Sequence, residues 1–171
     1  KFIFVTGALF IIVVIAGAKD WGATDQEYKI ANFSPSPGST QSGNYITATK
    51  INRSARCGTS GCHPDIYQQW SQSAHRFSSF NNPFYKASVD YLLSTSDTTT
   101  VRWCGSCHDP VMLYSGLMVG TPDVDLPEAH AGITCEICHG IIDIPDITGN
   151  ANYVLNSPIE YPFSHSKGML A

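Results

Sequence analysis

Positive charge is scarce in this 171-residue chain: ten Lys and Arg stand against fourteen Asp and Glu, a formal net charge of −4. A surface of that sign offers little to a phosphate backbone, so nucleic acid is not an expected partner. Methionine is scarcer still, at three residues, which leaves few sulfur ligands to choose from. No cysteine is left over once the six are grouped with their neighbours, which leaves no unexplained thiol.

What the chain has instead is a Cys pair closed by His, three times over: Cys57 to His63 (CGTSGCH), Cys104 to His108 (CGSCH) and Cys135 to His139 (CEICH). Two thiols in that pattern add across the two vinyl groups of one porphyrin, and the imidazole that follows swings beneath the ring onto iron. Cys57, Cys62, Cys104, Cys107, Cys135 and Cys138 are therefore the expected attachment points of three covalently bound haem c groups, with His63, His108 and His139 as proximal ligands. The first motif has a four-residue spacer where the others have two, but His63 still follows Cys62 directly. Structural zinc also uses Cys pairs, yet a zinc ribbon merges two pairs into one tetrahedron and has no use for His after every second Cys. A disulfide framework would consume six cysteines too, and would leave the same histidines unexplained.

Six histidines in all leave His75, His130 and His165 as candidate distal ligands. If each of three irons takes two imidazoles, no coordination position stays open, which favours electron transfer over substrate chemistry. Pro64 suits a first helical turn, and Ile66, Tyr67, Trp70 and Ala74 recur at helical spacing, so His63 and His75 are expected on one helix. Twelve residues at about 1.5 Å each separate them by roughly 18 Å, too far to clamp one iron from both faces. His75 is then expected to serve a different haem from His63. His130, five residues before Cys135, is crowded against the third motif and is expected to serve the first or second haem. Met112, Met118 and Met169 are the competing sixth ligands, although Met112, four residues past His108, falls on the wrong side of its own ring.

Phe2 to Ala18 (FIFVTGALFIIVVIAGA) carries no charge over seventeen residues. At about 1.5 Å per residue this just reaches across a hydrocarbon core of roughly 30 Å with help from its flanks. A retained single-pass anchor is expected, in a lipid bilayer. Ala16-Gly17-Ala18 also fits a signal-peptide cleavage site, but the apolar run is longer than the usual signal core. Lys1 and Lys19 flank the span evenly, so orientation follows from haem chemistry: thiols receive haem outside the cytoplasm, which puts the body in the periplasm or at the cell exterior and the N-terminus inside. A sequence starting at Lys1 is expected to be part of a longer chain, and a further motif past residue 171 stays open.

Three regions are expected: an anchor over 1–19, a membrane-proximal segment and linker over 20–53, and a trihaem domain over 54–171. The body should be mainly α with much irregular loop, a compact multihaem cytochrome c domain behind a transmembrane helix. Helices are expected at Pro64–Phe77, Pro83–Leu93, Trp103–His108 continuing through Pro110–Leu117, and Cys135–His139. Lys19–Ile30 has the mixed charge of a short helix, Ser34–Gly43 (SPSPGSTQSG) the composition of a linker, and Tyr45–Ile51 that of a strand or extended approach. Ser94–Thr100 reads as a polar connection, and Gly140–Phe163 as extended chain wrapping the haems. Tyr67, Trp70, Phe77, Phe80, Tyr85, Trp103 and Tyr153 are expected to pack rather than to relay electrons.

Cys62 to His75 (CHPDIYQQWSQSAH), the CGSCHDP run from Cys104, and His130 to Gly140 (HAGITCEICHG) resemble the multihaem cytochrome c family that includes the tetrahaem electron carrier of ammonia oxidisers and is related to hydroxylamine oxidoreductase. The resemblance spans about Arg56 to Ser166. It implies that His75, closing a Trp-x-x-Ser-x-His segment, and His130, ahead of a later motif, act as distal ligands, and that haems pack in close pairs, some parallel and some nearly perpendicular. This chain departs from the family in having three motifs, a longer first spacer and an anchor.

The function expected is single-electron transfer between a membrane redox complex, quinol-oxidising or photosynthetic, and other cytochromes, without enzymatic activity. One rival is a haem enzyme acting on a small nitrogen or sulfur compound at an open iron. The other is a structural subunit bridging a larger photosynthetic or respiratory complex.

Overall fold

The computed structural model describes residues 32–59 and 62–160. The expected anchor Phe2–Ala18, the segment Lys19–Ile30, His165 and Met169 lie outside the described residues. Among the described residues, no helix is long and apolar enough to cross a membrane.

The body is built from short helices joined by loops, with one small sheet. In chain order the elements are β1 (Ser39–Thr40), α1 (Ala48–Ile51), α2 (Ser54–Cys57), α3 (Pro64–Ser71), α4 (Pro83–Thr95), a 3-10 turn (Thr98–Val101), α5 (Arg102–His108), α6 (Pro110–Tyr114), a second 3-10 turn (Pro127–His130), α7 (Cys135–Gly140), β2 (Ile141–Asp143) and β3 (Val154–Leu155). The sheet runs β1-β3-β2, parallel between β1 and β3 and antiparallel between β3 and β2, with Thr40 opposite Leu155 and Ile141 opposite Leu155.

Helix starts follow local chemistry. Pro83 occupies the first turn of α4, where its missing N–H costs nothing, and the Asn82 side chain accepts from the Phe84 and Tyr85 amides. Thr134 caps α7 in the same way, accepting from Ile137 N and donating to Ile51 O at 2.7 Å, so one hydroxyl starts a helix and ties it to α1. The core gathers Ile51, Val89, Val101, Val111, Met112, Leu113, Tyr114, Met118, Ile137 and Leu155. α6 is buried at all five positions, which seats α5, packed against it, on the core.

Four sequence expectations change. The helix expected through Pro110–Leu117 stops at Tyr114, where Ser115 caps it and Gly116, at φ +81°, turns the chain. The helix expected over Pro64–Phe77 stops at Ser71. There Ser71 Oγ donates to Gln68 O and Ser73 Oγ to Trp70 O, side-chain bonds that compete with continuing the helical ladder. His75 therefore lies in the turn beyond α3, and the helical ruler from His63 does not apply to its last residues. Tyr45–Ile51 ends in α1 rather than a strand. Ser34–Gly43 is built into the body: β1 pairs with β3, Ser36 Oγ donates to Ser106 Oγ at 2.8 Å, and a Cβ on Gly38 would collide with the Tyr114 hydroxyl. Composition marked the absence of helix there, but backbone groups pair regardless of side chain.

Candidate functional site

In α5 and α7 a two-residue spacer puts the two cysteines at i and i+3 and the histidine at i+4, positions that share one helical face. The first cysteine of each motif is half-buried and the second exposed, so the sulfur pair runs from the core edge outward. The first motif is assembled differently: Cys57 ends α2 and His63 is the residue just before α3, and His63 N donates to Cys57 O at 2.9 Å. Gly58 allows this closure, because a Cβ there would lie 2.5 Å from Cγ of Tyr67.

His108 is the most tightly held imidazole. Its Nδ1 lies 2.9 Å from the Ser78 carbonyl oxygen, which can only accept, so Nδ1 carries the proton and Nε2 is left as the metal-binding nitrogen. The Tyr85 ring stacks on it at 4.5 Å and 9°. Ser78 Oγ and Ser79 Oγ both donate to the His108 carbonyl oxygen, at 3.0 and 2.8 Å. Directly behind, the Asp109 carboxyl is 1% exposed, has neither oxygen in a well-formed hydrogen bond, and is pushed up to about 7 by burial. The Tyr85 hydroxyl faces it, and burial together with that carboxyl drives the phenol above its ordinary range.

Candidate distal residues His75 and His130 come from two loops that interlock. Ile133 N donates to His75 O at 2.8 Å, Trp70 Nε1 to Ile133 O at 2.8 Å, and Asn81 Nδ2 to both Arg76 O and His130 O. The Arg76 guanidinium also donates to His130 O and lies over the Trp70 and Phe77 rings. Gly132, at φ +69°, touches the His75 and Arg76 carbonyls so closely that only a residue without Cβ fits. Both imidazoles are exposed, as are those of His63 and His139, while His108 is half-buried. The competing ligands Met112 and Met118 are buried in the core.

The motifs are contiguous. Cys57 and Cys135, from the first and third, are close enough to interact, and Cys57 Sγ also reaches Glu136 Oε1 at 3.9 Å. Tyr153 joins the second and third: its hydroxyl donates to Ser106 O at 2.9 Å, and its pKa is raised well above normal by burial, by Tyr114, and by the flanking Cys107 and Cys138 thiols.

This arrangement fits covalent haem better than the alternatives. Burial raises the pKa of Cys57, Cys104, Cys107 and Cys138, the reverse of what a nucleophilic or redox thiol needs. All six thiols are free of disulfides. Among the described residues no three His, Cys, Asp or Glu side chains converge, so a zinc cage has no donor set there. Ile66, Phe77, Trp103 and Ile142, close in sequence to the motifs, are exposed apolar side chains of the kind a macrocycle covers.

A Cys pair on one helical face with an adjacent imidazole, as α5 and α7 present it, is the arrangement that covalent haem attachment uses. Residues 56–140, which contain all three motifs, match the family model for cytochrome c554 and c-prime, and this supports a multihaem c-type cytochrome with covalently bound haem c. No curated protein and no solved structure matches the chain.

Sequence reasoning missed the Ser78 carbonyl, since a backbone acceptor leaves no mark in composition. It also missed Ser54 and Glu136, although a carboxylate inside a motif spacer was a signal that could have been read. His165 lies outside the described residues.

Proposed function

We propose that this chain is a membrane-anchored trihaem c-type cytochrome that carries single electrons outside the cytoplasm, between a membrane redox complex, quinol-oxidising or photosynthetic, and another cytochrome. The observation that carries it is the tertiary contact among the motifs: Cys57 Sγ of the first lies 3.9 Å from Glu136 in the third, the Cys135 amide donates to Ser54 beside the first at 3.0 Å, and the Tyr153 hydroxyl, next to the partner strand of β2, donates to Ser106 O in the second at 2.9 Å. Attachment segments held in contact keep their groups near one another, as a chain of single-electron steps requires. Haem c, when bound, supplies a one-electron iron couple whose potential follows from its axial ligands, burial and hydrogen bonding.

The protein's own share is positional. Ser78 and Tyr85 fix the plane and tautomer of the His108 ring, and the interlocked His75 and His130 loops fix two further imidazoles at the surface. Phe2–Ala18 holds the body at the bilayer, and Cys57, Cys62, Cys104, Cys107, Cys135 and Cys138 take three haem groups, with His63, His108 and His139 proximal and His75, His130 and His165 distal.

Whole-protein mass spectrometry with haem quantitation on the membrane fraction tests this. Three covalent haems per chain, retained in membranes until detergent is added, are expected; fewer haems, or release by salt alone, would contradict it.

A further inference from the structure

Glu136 lies in the spacer of the third motif, where attachment chemistry asks for no particular side chain, yet it is only 8% exposed. A buried carboxylate costs free energy unless it is hydrogen-bonded. Ser54 Oγ donates to Oε2 at 3.1 Å, and Ser54 is itself fixed because its Oγ accepts from the Cys135 amide at 3.0 Å. The Cys57 sulfur reaches Oε1 at 3.9 Å. One carboxylate thus sits against cysteines of two different motifs, 79 residues apart along the chain in the case of Cys57. The neighbouring cation, Arg53, is engaged with Glu160 at 3.0 Å.

We propose that Glu136 is a potential-setting residue shared by the first and third haem sites: held between their cysteines by Ser54, its negative charge favours the oxidised state at both irons and leaves the second site largely untouched. This rests on the covalent-haem reading above. An oxidised iron carries one more positive charge than a reduced one, and a carboxylate in a water-poor site acts on that difference with little screening. Ser54 is a positioning residue, acting only through where it holds the carboxylate.

The test is a potentiometric titration of the full haem-loaded protein, followed optically and by electron paramagnetic resonance, with haem content measured on the same sample. In Glu136→Gln two of the three midpoint potentials should rise, each by about a tenfold change in the reduction equilibrium, or about 59 mV for one electron. The third potential and all g-values should stay in place. No shift, a shift of one haem alone, or equal shifts of all three would overturn the proposal. Glu136→Asp keeps the charge and should restore most of the wild-type values, which a packing role would not. If Glu136→Gln does not accumulate, Ser54→Ala decides: the same two potentials should rise by less, and unchanged potentials would overturn the proposal. Wild-type protein without haem would sink the covalent-haem reading instead, and is seen separately in the haem assay.

Discussion

The second attachment motif lies on one helix, α5, with α6 and the core behind it and with Ser78 and Tyr85 on its histidine. The first is divided between the end of α2 and the start of α3, and α3 buries none of its residues. A two-residue spacer lets helical geometry aim both sulfurs and the imidazole, so the core can back the whole unit. A four-residue spacer hands that task to turn bonds, among them His63 N to Cys57 O and Cys62 N to Thr59 O, and α3, which follows it, lies on the surface. Insults of similar steric size should therefore cost much more around the second site than around the first.

The largest effect is expected at Gly132, behind the loop that serves His108. Gly132→Ala adds a Cβ at φ +69° against the His75 carbonyl oxygen and within 2.5 Å of that of Arg76. A destabilisation of about 3 kcal/mol or more is expected, seen as loss of haem-loaded protein and a lower thermal midpoint. Next comes Tyr85→Leu, which removes the ring stacked on His108 and leaves part of a buried site unfilled. Thermal denaturation should show a loss of roughly 2–3 kcal/mol, and one haem alone should change its g-values as its imidazole turns. If all three haems respond, the second site is not held independently.

Gly58→Ala sharpens the contrast from the other side. Its Cβ would come within 2.5 Å of Tyr67, a clash as severe as many in a core. Because α3 is exposed it can tilt away, so a cost of only about 1 kcal/mol is expected, with haem stoichiometry unchanged. Smallest of all is Lys86→Ala, which breaks the exposed i,i+4 pair to Asp90 at 2.8 Å on α4. A loss of about 0.3 kcal/mol is expected, vanishing at high salt; a larger one would mean that α4 depends on its surface charges rather than on Tyr85 and Val89 beneath.

Legibility in the sequence followed the range of the interactions involved. Pro83 and Asn82 announce α4, and Cys-x-x-Cys-His announces the chemistry of α5 and α7, because caps and covalent motifs are local. α3 was overextended because periodicity through Ala74 ignored serines that turn their hydroxyls back onto carbonyls. The pairing of Ser34–Gly43 with the body depends on β3, more than a hundred residues onward, and no window of sequence contains both. The same holds at the site. The ligand histidines could be counted, but the Ser78 carbonyl aimed at His108 and the sharing of Glu136 between two motifs arise only from tertiary contact.

Low-temperature electron paramagnetic resonance of the oxidised protein, with haem quantitation on the same sample, tests the central claim most directly. Three haems per chain, all low-spin, are predicted if every iron holds two protein ligands and the molecule serves as an electron carrier. A high-spin signal amounting to one haem would contradict that, and would point to an open iron able to meet a substrate.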